Sequence, residues 1–319
     1  MSTIRQSWYE AGARERIAAL VDPRSFAEFV GPEWRETSPH LGIFDLPAQF
    51  DDGIVVGSGS IDGTPVLVAA QEGRFMGGAF GEVHGAKLTG LLRSAKALGR
   101  DVVIAFDTGG VRLQEANAGE IAIAEIMRAI VEARLDGVRV VGLIGGRAGC
   151  YGGGGLIAGC CSTLIVSEQG RISVTGPEVI ETNKGVEEFD SRDRALVWRT
   201  MGGKHRTLIG GADLFVDDDA AAFRAAMLAA LVRPAKAGSV RNASSVPFGR
   251  GERPGLDLAT LDAEQDRLER RIARFGDAAD ATDIWRTLGI DDARAIPDMP
   301  SAAFATLAAQ YRESADDAR

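Results

Sequence analysis

Residues 145–155 read Gly-Gly-Arg-Ala-Gly-Cys-Tyr-Gly-Gly-Gly-Gly. The run follows an apolar stretch at 138–144 and leads into small residues at 156–161 that predict a helix. A glycine turn between a buried strand and a helix N-terminus bares backbone N–H groups with no side chain in the way. Such donors suit an anion, or a carbonyl oxygen that becomes anionic during reaction. The same glycines would also let a helix pack tightly on a strand, so the run alone leaves both roles open.

Working outward, the pattern repeats. Residues 101–107 (Asp-Val-Val-Ile-Ala-Phe-Asp) form another short apolar run, as in a strand buried on both faces, and Thr108-Gly109-Gly110-Val111 follows it. Before this run, Leu88, Leu91, Leu92, Ala95 and Leu98 recur at helical spacing within 83–98; after it, 121–133 is again helical. Strand, glycine turn and helix in succession predict an α/β fold with a parallel core, whose ligands bind beyond the carboxyl ends of the strands. Upstream, 53–61 and 64–70 predict a hairpin around Asp62-Gly63. Gly57-Ser58-Gly59-Ser60-Ile61-Asp62 is not a dinucleotide fingerprint, because a strand follows it and not a helix.

Further strands are predicted at 162–167 and 171–175, and helices at 13–20, 23–29, 190–201 and 220–232. Residues 234–254 read as a loop, followed by helices at 261–275, 282–288 and 302–313. The expected organisation is a helical lead-in at 1–49, a main domain at 50–233, and a loop with a helical extension at 234–319.

A net charge of -9 disfavours nucleic acid or an anionic membrane as the main partner. No signal peptide or transmembrane run is evident, and three cysteines make no even disulfide framework, so a cytoplasmic protein is expected. His40, His84 and His205 lie far apart and no Cys-x-x-Cys or His-Glu-x-x-His occurs, so no metal site is expected. The chain also lacks the Gly-x-Ser-x-Gly elbow of serine hydrolases. Cys150 has no histidine near it in sequence to activate it and reads as a packed thiol; Cys160 and Cys161 read as core.

Several stretches resemble, in order, motifs of the carboxyltransferase branch of the crotonase superfamily. They are Gly57–Gly63, Phe75-Met76-Gly77-Gly78-Ala79-Phe80-Gly81, Thr108–Glu115, Gly152–Gly155, Val174-Thr175-Gly176-Pro177-Glu178-Val179-Ile180, Met201-Gly202-Gly203-Lys204-His205 and Gly211-Ala212-Asp213. The likeness spans roughly residues 50–220. Within that branch, residues 33–42 and 185–193 are most similar to the beta subunits of biotin-independent malonate decarboxylases.

The resemblance implies a crotonase-like spiral of ββα units with parallel core sheets and a C-terminal helical extension. It implies a malonyl thioester substrate on an acyl carrier protein, converted to acetyl thioester and CO2. No cofactor is bound directly; the thioester rides on the carrier's phosphoribosyl-dephospho-CoA arm. Implied partners are a gamma subunit of similar fold, the acyl carrier protein subunit and its transferase subunit. The alternatives are a carboxyltransferase subunit of a biotin-dependent acyl-CoA carboxylase, or a non-catalytic scaffold.

Leu156 stands where the superfamily's hydratases need a glutamate, which argues against hydration. On this reading Gly110 and Gly153 donate the oxyanion-hole amides, with Val111 and Gly152 within alignment error. Gly109, Gly154, Arg147 and Tyr151 are candidate substrate contacts. Arg112, Gln114 and Glu115 are expected to hold the first loop in shape. Tyr151 and Glu178 are candidate proton donors. The helices beyond 256 either cap the interface with a sister subunit or pack on their own domain.

Overall fold

The computed structural model describes residues 5–231, 256–278 and 280–311. The chain begins with α1 (Ala13–Leu20), β1 (Ala27–Phe29), α2 (Pro39–Ile43), β2 (Ile54–Ile61) and β3 (Thr64–Gln71). The central units are α3 (Glu82–Leu98), β4 (Val102–Phe106), α4 (Asn117–Leu135), β5 (Val140–Ile144), α5 (Gly153–Gly159) and β6 (Thr163–Ser167). Then come α6 (Pro177–Lys184), α7 (Arg194–Met201), α8 (Gly203–Leu208), β7 (Leu214–Val216) and α9 (Ala220–Leu231). The last three helices are α10 (Leu258–Phe275), α11 (Ala281–Thr287) and α12 (Ser301–Tyr311).

Among the described residues the seven strands form one sheet in sequence order. β1, β2 and β3 pair antiparallel, and β3 through β7 pair parallel. Each parallel step is bridged by helices, so the chain advances as a spiral. Alternation along the strands sorts side chains onto two faces. Val102, Ile104 and Phe106 join Leu88, Ile126 and Ile157 under α3, α4 and α5. Val103 and Ala105 join Ile17, Leu20 and Phe223 under α1 and α9. With both faces covered, β4 and β5 are buried at every position, which is why they read as unbroken apolar runs.

Beyond the strand ends, the second strand of each ββα unit is reduced to single bridges: Phe80 with Val111, Thr108 with Cys150, Cys150 with Ile172, and Arg171 with Gly202. This corrects the strand expected at 171–175. That segment makes bridges only, because it lies across the glycine turns and not in the main sheet.

The helix expected at 23–29 is also absent. Arg24 sits at φ 63° behind Pro23, which breaks a helix, and Ala27–Phe29 instead pairs with Val56–Ser58 as β1. Although α1 and β1 come from the lead-in, they pack into the same core as the main sheet. Helix α5 starts at Gly153, earlier than the residues at 156–161 suggest. Cys161 is buried, whereas Cys160 is only partly buried.

The C-terminal helices pack on their own domain. Leu208 of α8 joins Trp285, Ile296 and Phe304 in one apolar cluster. Lys204 ties this cluster to the sheet by donating to Glu168 and to the carbonyls of Pro297 and Met299. The loop expected at 234–254 lies outside the described residues.

Candidate active site

The two glycine turns leave the carboxyl ends of β4 and β5 and meet. A Cβ placed on Gly152 would lie 3.2 Å from the Gly110 Cα, and one on Gly110 would lie 3.8 Å from the Gly152 Cα. Both glycines adopt backbone angles that only glycine takes easily, φ 131° at Gly110 and φ 56° with ψ -130° at Gly152. Backbone bonds fix their register: Thr108 donates to the Gly149 carbonyl at 2.8 Å, and Tyr151 donates to the Thr108 carbonyl at 3.0 Å.

Which amides are free follows from the hydrogen bonds. The Gly109 N–H donates to the Gly77 carbonyl, Gly110 N–H to Thr108 Oγ1 at 3.1 Å, and Gly154 N–H to the Tyr151 carbonyl. The N–H groups of Val111, Gly152 and Gly153 have no acceptor among the described residues. Each turn therefore retains an unengaged donor, and in the first turn that donor belongs to Val111 and not to Gly110.

The three glycines that open α5 also serve packing. A Cβ on Gly153 would strike the Ile123 side chain at 2.6 Å, one on Gly154 the Thr108 methyl at 2.4 Å, and one on Gly155 the Ser173 carbonyl at 2.6 Å. The packing role expected of this run is met, and it leaves the Gly153 N–H without an acceptor among the described residues.

Two buried polar networks hold the turns. Asp107, at the end of β4, pairs with Arg16 of α1 at 2.8 Å and accepts from the Ala148 N–H at 2.6 Å, anchoring the second turn. Gly73 and Gly146 leave room for its carboxylate, since a Cβ on either would fall 2.5 Å or less from its Cγ. In the first turn, Arg112 reaches Asp52 at 2.8 Å and Glu115 at 3.0 Å, and also donates to the Asp52 carbonyl. His84 completes this network: its N–H donates to Asp52, its Nδ1 lies 3.1 Å from the Asp52 carbonyl, and its Nε2 lies 3.1 Å from Gln71 Nε2. Burial pushes the His84 pKa well below its ordinary value, so the ring is neutral. A neutral ring can accept from Gln71 and donate to Asp52 at once.

Arg147 and Glu178 are at the surface, whereas Cys150 and Tyr151 belong to the second turn itself. Arg147 is exposed, paired with Glu10 at 3.3 Å and set over the Tyr9 ring. Tyr151 is buried against Phe189, Val197 and Met201; its hydroxyl has no partner among the described residues, and burial raises its pKa. Glu178 is exposed in the first turn of α6. Cys150 is fully buried and its thiol is pushed well above the usual range by burial, so it is held protonated. Among the described residues no group of three or more His, Cys, Asp or Glu could hold a metal ion. No described helix is long and apolar enough to cross a membrane.

Sequence reasoning missed Arg16, Asp52, His84 and Asp107. For Asp107 a signal existed, an acid closing an otherwise apolar strand just before a glycine turn. Arg16 and Asp52 gave none, because their partners lie 91 and 60 residues away.

The arrangement is one of adjacent strand-end turns, each with a free amide, on an ordered α/β spiral. The carboxyl transferase domain family matches residues 10–255. The chain belongs to that family. One carboxyl transferase relative is the malonyl-S-ACP:biotin-protein carboxyltransferase MADC of Malonomonas rubra. It is 44% identical over 244 residues, which are 72% of this chain and 76% of that protein. The methylmalonyl-CoA carboxyltransferase 12S subunit of Propionibacterium freudenreichii subsp. shermanii is 31% identical over 66% of this chain, but only 38% of its own length is covered. Among solved structures, a chain of a Pseudomonas malonate decarboxylase hetero-tetramer in complex with malonate aligns with a TM-score of 0.77. The two are 37% identical, across 89% of this chain and 98% of that one. Its carboxyl transferase relatives are enzymes, and the chain is an enzyme subunit of this kind with a crotonase-like fold.

Proposed function

We propose that this chain is the subunit of a biotin-independent malonate decarboxylase that breaks the carbon–carbon bond of a malonyl thioester. The observation that carries the reading is the pair of adjoining turns with unengaged amides at Val111 and Gly153. A thioester oxygen between them would accept both N–H groups. As the bond to the carboxyl group breaks, its electron pair moves into the thioester carbonyl, CO2 leaves and the oxygen becomes an enolate oxyanion. Two preorganised donors stabilise that charge, each worth about 2.7–4 kcal/mol to the transition state. The dipole of α5 adds to them. No strong base is needed, because the departing carboxylate is already ionised. A proton then adds to the carbanion carbon and gives the acetyl thioester. Leu156, at the position of the hydratase acid, is consistent with a reaction that needs no carboxylate there.

The malonyl group would arrive on the phosphoribosyl-dephospho-CoA arm of an acyl carrier protein in the cytoplasm, loaded by a transferase subunit. A gamma subunit of similar fold would close the site. Exposed Leu113, Ile121, Leu156 and Val174 on the elements around the turns, and Leu258, Leu268 and Ile272 on α10, offer apolar surface for such a partner. The likeness to a hetero-tetrameric decarboxylase supports this assembly.

A second reading is favoured by the relative whose name includes a biotin-protein acceptor. There the carboxyl group would pass to biotin and not leave as CO2. One experiment separates the two. The chain and its sister subunit, without ATP or biotin, are given malonyl thioester and CO2 is measured. Release unaffected by avidin supports decarboxylation; no release, together with carboxylation of an added biotin protein by malonyl thioester that avidin blocks, supports transfer.

A further inference from the structure

A cleft of about 460 Å³ lies beside the start of α5, lined by Gly155, Ile172, Ser173, Thr175, Lys184 and Arg206 among others. Arg206 is its unusual member. Its Nε is buried without a hydrogen-bond partner, and among the described residues no acidic side chain pairs with it. The buried arginines and lysine near the site each have an anionic or carbonyl partner: Arg16 has Asp107, Arg112 has Asp52, and Lys87 has the carbonyls of Asp51 and Ile54. Arg206 as a whole is half-buried, but a guanidinium partly withdrawn from water with no counter-charge is still costly, and burial lowers its pKa, opposed only by nearby Tyr151. An anion entering the cleft would supply the missing partner. Ser173 and Thr175 bring hydroxyls to the same wall, and exposed Lys184, 3.9 Å from Glu188, stands at the rim.

The position of the cleft selects the anion. Gly155, on its wall, is two residues beyond Gly153, and successive α-helical residues rise by only about 1.5 Å. A group held there is therefore close to a thioester oxygen held by the Gly153 amide. The malonyl carboxylate carbon stands two carbon–carbon bonds from the thioester carbonyl carbon, whereas the phosphates of a carrier arm stand a whole pantetheine away. We infer that Arg206 binds the carboxylate of the malonyl group and distinguishes malonyl from acetyl thioester. This inference rests on the decarboxylase reading above.

The chemistry makes the role specific. The carboxylate loses its charge as it departs as CO2, so its contact with Arg206 is strongest in the bound substrate and weakens toward the transition state. Removing such a contact raises KM and leaves kcat unchanged or higher. It also favours release of the uncharged acetyl product.

The test compares Arg206→Leu and Arg206→Lys with the wild-type chain in complex with its sister subunit. For Arg206→Leu we expect KM for malonyl thioester to rise about ten- to a hundredfold, as for a lost hydrogen bond to a charged group. We expect kcat not to fall, inhibition by acetyl thioester to stay within about threefold of wild type, and Arg206→Lys to recover part of the KM. An unchanged KM in a folded variant, or equal weakening of malonyl and acetyl thioesters, overturns the inference. If the leucine variant does not fold, Arg206→Gln and Arg206→Lys are read by the same criteria. Calorimetric binding of a carboxyethyl thioether analogue, which lacks the carbonyl that takes up the electron pair and so cannot turn over, separates this site from the reaction. A loss of that binding in the variants supports the inference even if the wild-type complex releases no CO2, a result that would count against the decarboxylase reading alone.

Discussion

Replacing Gly152 by alanine probes the meeting of the two turns without touching any side chain. The residue sits at φ 56° and ψ -130°, a conformation that costs an alanine about 1–3 kcal/mol. The new Cβ would also lie 3.2 Å from the Gly110 Cα, tight enough to push the first turn back by tenths of an ångström. The easiest relief is rotation of the peptide joining residues 152 and 153, which swings the Gly153 N–H away from its target. Loss of one oxyanion donor reduces kcat by roughly 100- to 1000-fold. Folding should survive, because a domain with about 5–15 kcal/mol of stability tolerates the strain. The assay is CO2 release by Gly152→Ala in complex with the sister subunit, with thermal unfolding measured in parallel. A folded variant with kcat within about threefold of wild type would refute the reasoning.

Two further predictions concern the scaffold and its pH response. Arg16→Met strands the Asp107 carboxylate in the core and should cost about 3–5 kcal/mol in denaturant titrations; a loss below about 1 kcal/mol would show that the pair does not anchor the second turn. His205 is held near a pKa of about 3, first by burial and then by Arg206. Because its folded pKa lies below that of the unfolded chain, the unfolded state takes up the proton first as pH drops below about 6.5, and stability is lost on that side. Between pH 7 and pH 5 this amounts to roughly 2 kcal/mol, and His205→Gln should flatten the curve by that amount. An unchanged slope in the variant would contradict it.

The parts of this molecule legible in sequence were those set by local pattern. The runs at 102–106 and 140–144 declared buried parallel strands, because burial on both faces leaves no polar position. Asp62-Gly63 declared the β2–β3 hairpin, with Asp62 at φ 49° and Gly63 at φ 73°. What failed was set by distant partners. Ala27–Phe29 becomes a strand only because β2 offers an edge, and 171–175 forms bridges only because the turns stand beside it.

The site shows the same division. That both turns bear donors followed from their glycines, but which amide stays free in the first turn depends on Thr108. Its Oγ1 takes the Gly110 N–H two residues on, a local side-chain turn that a threonine at that spacing could have signalled. Arg206 gave no signal at all, since its distinguishing property is the lack of a partner in three dimensions.

The proposed decarboxylation requires one oxygen shared by two amides from separate turns. Isotope-edited infrared spectroscopy of a carbonyl-labelled acetyl thioester bound to the complex measures this directly. Two donors polarise the carbonyl, so its stretch should move to lower frequency on binding and return toward the free value in Gly152→Ala. A fully bound thioester whose carbonyl absorbs at its frequency in water, in a complex that still releases CO2 from malonyl thioester, would contradict the central claim.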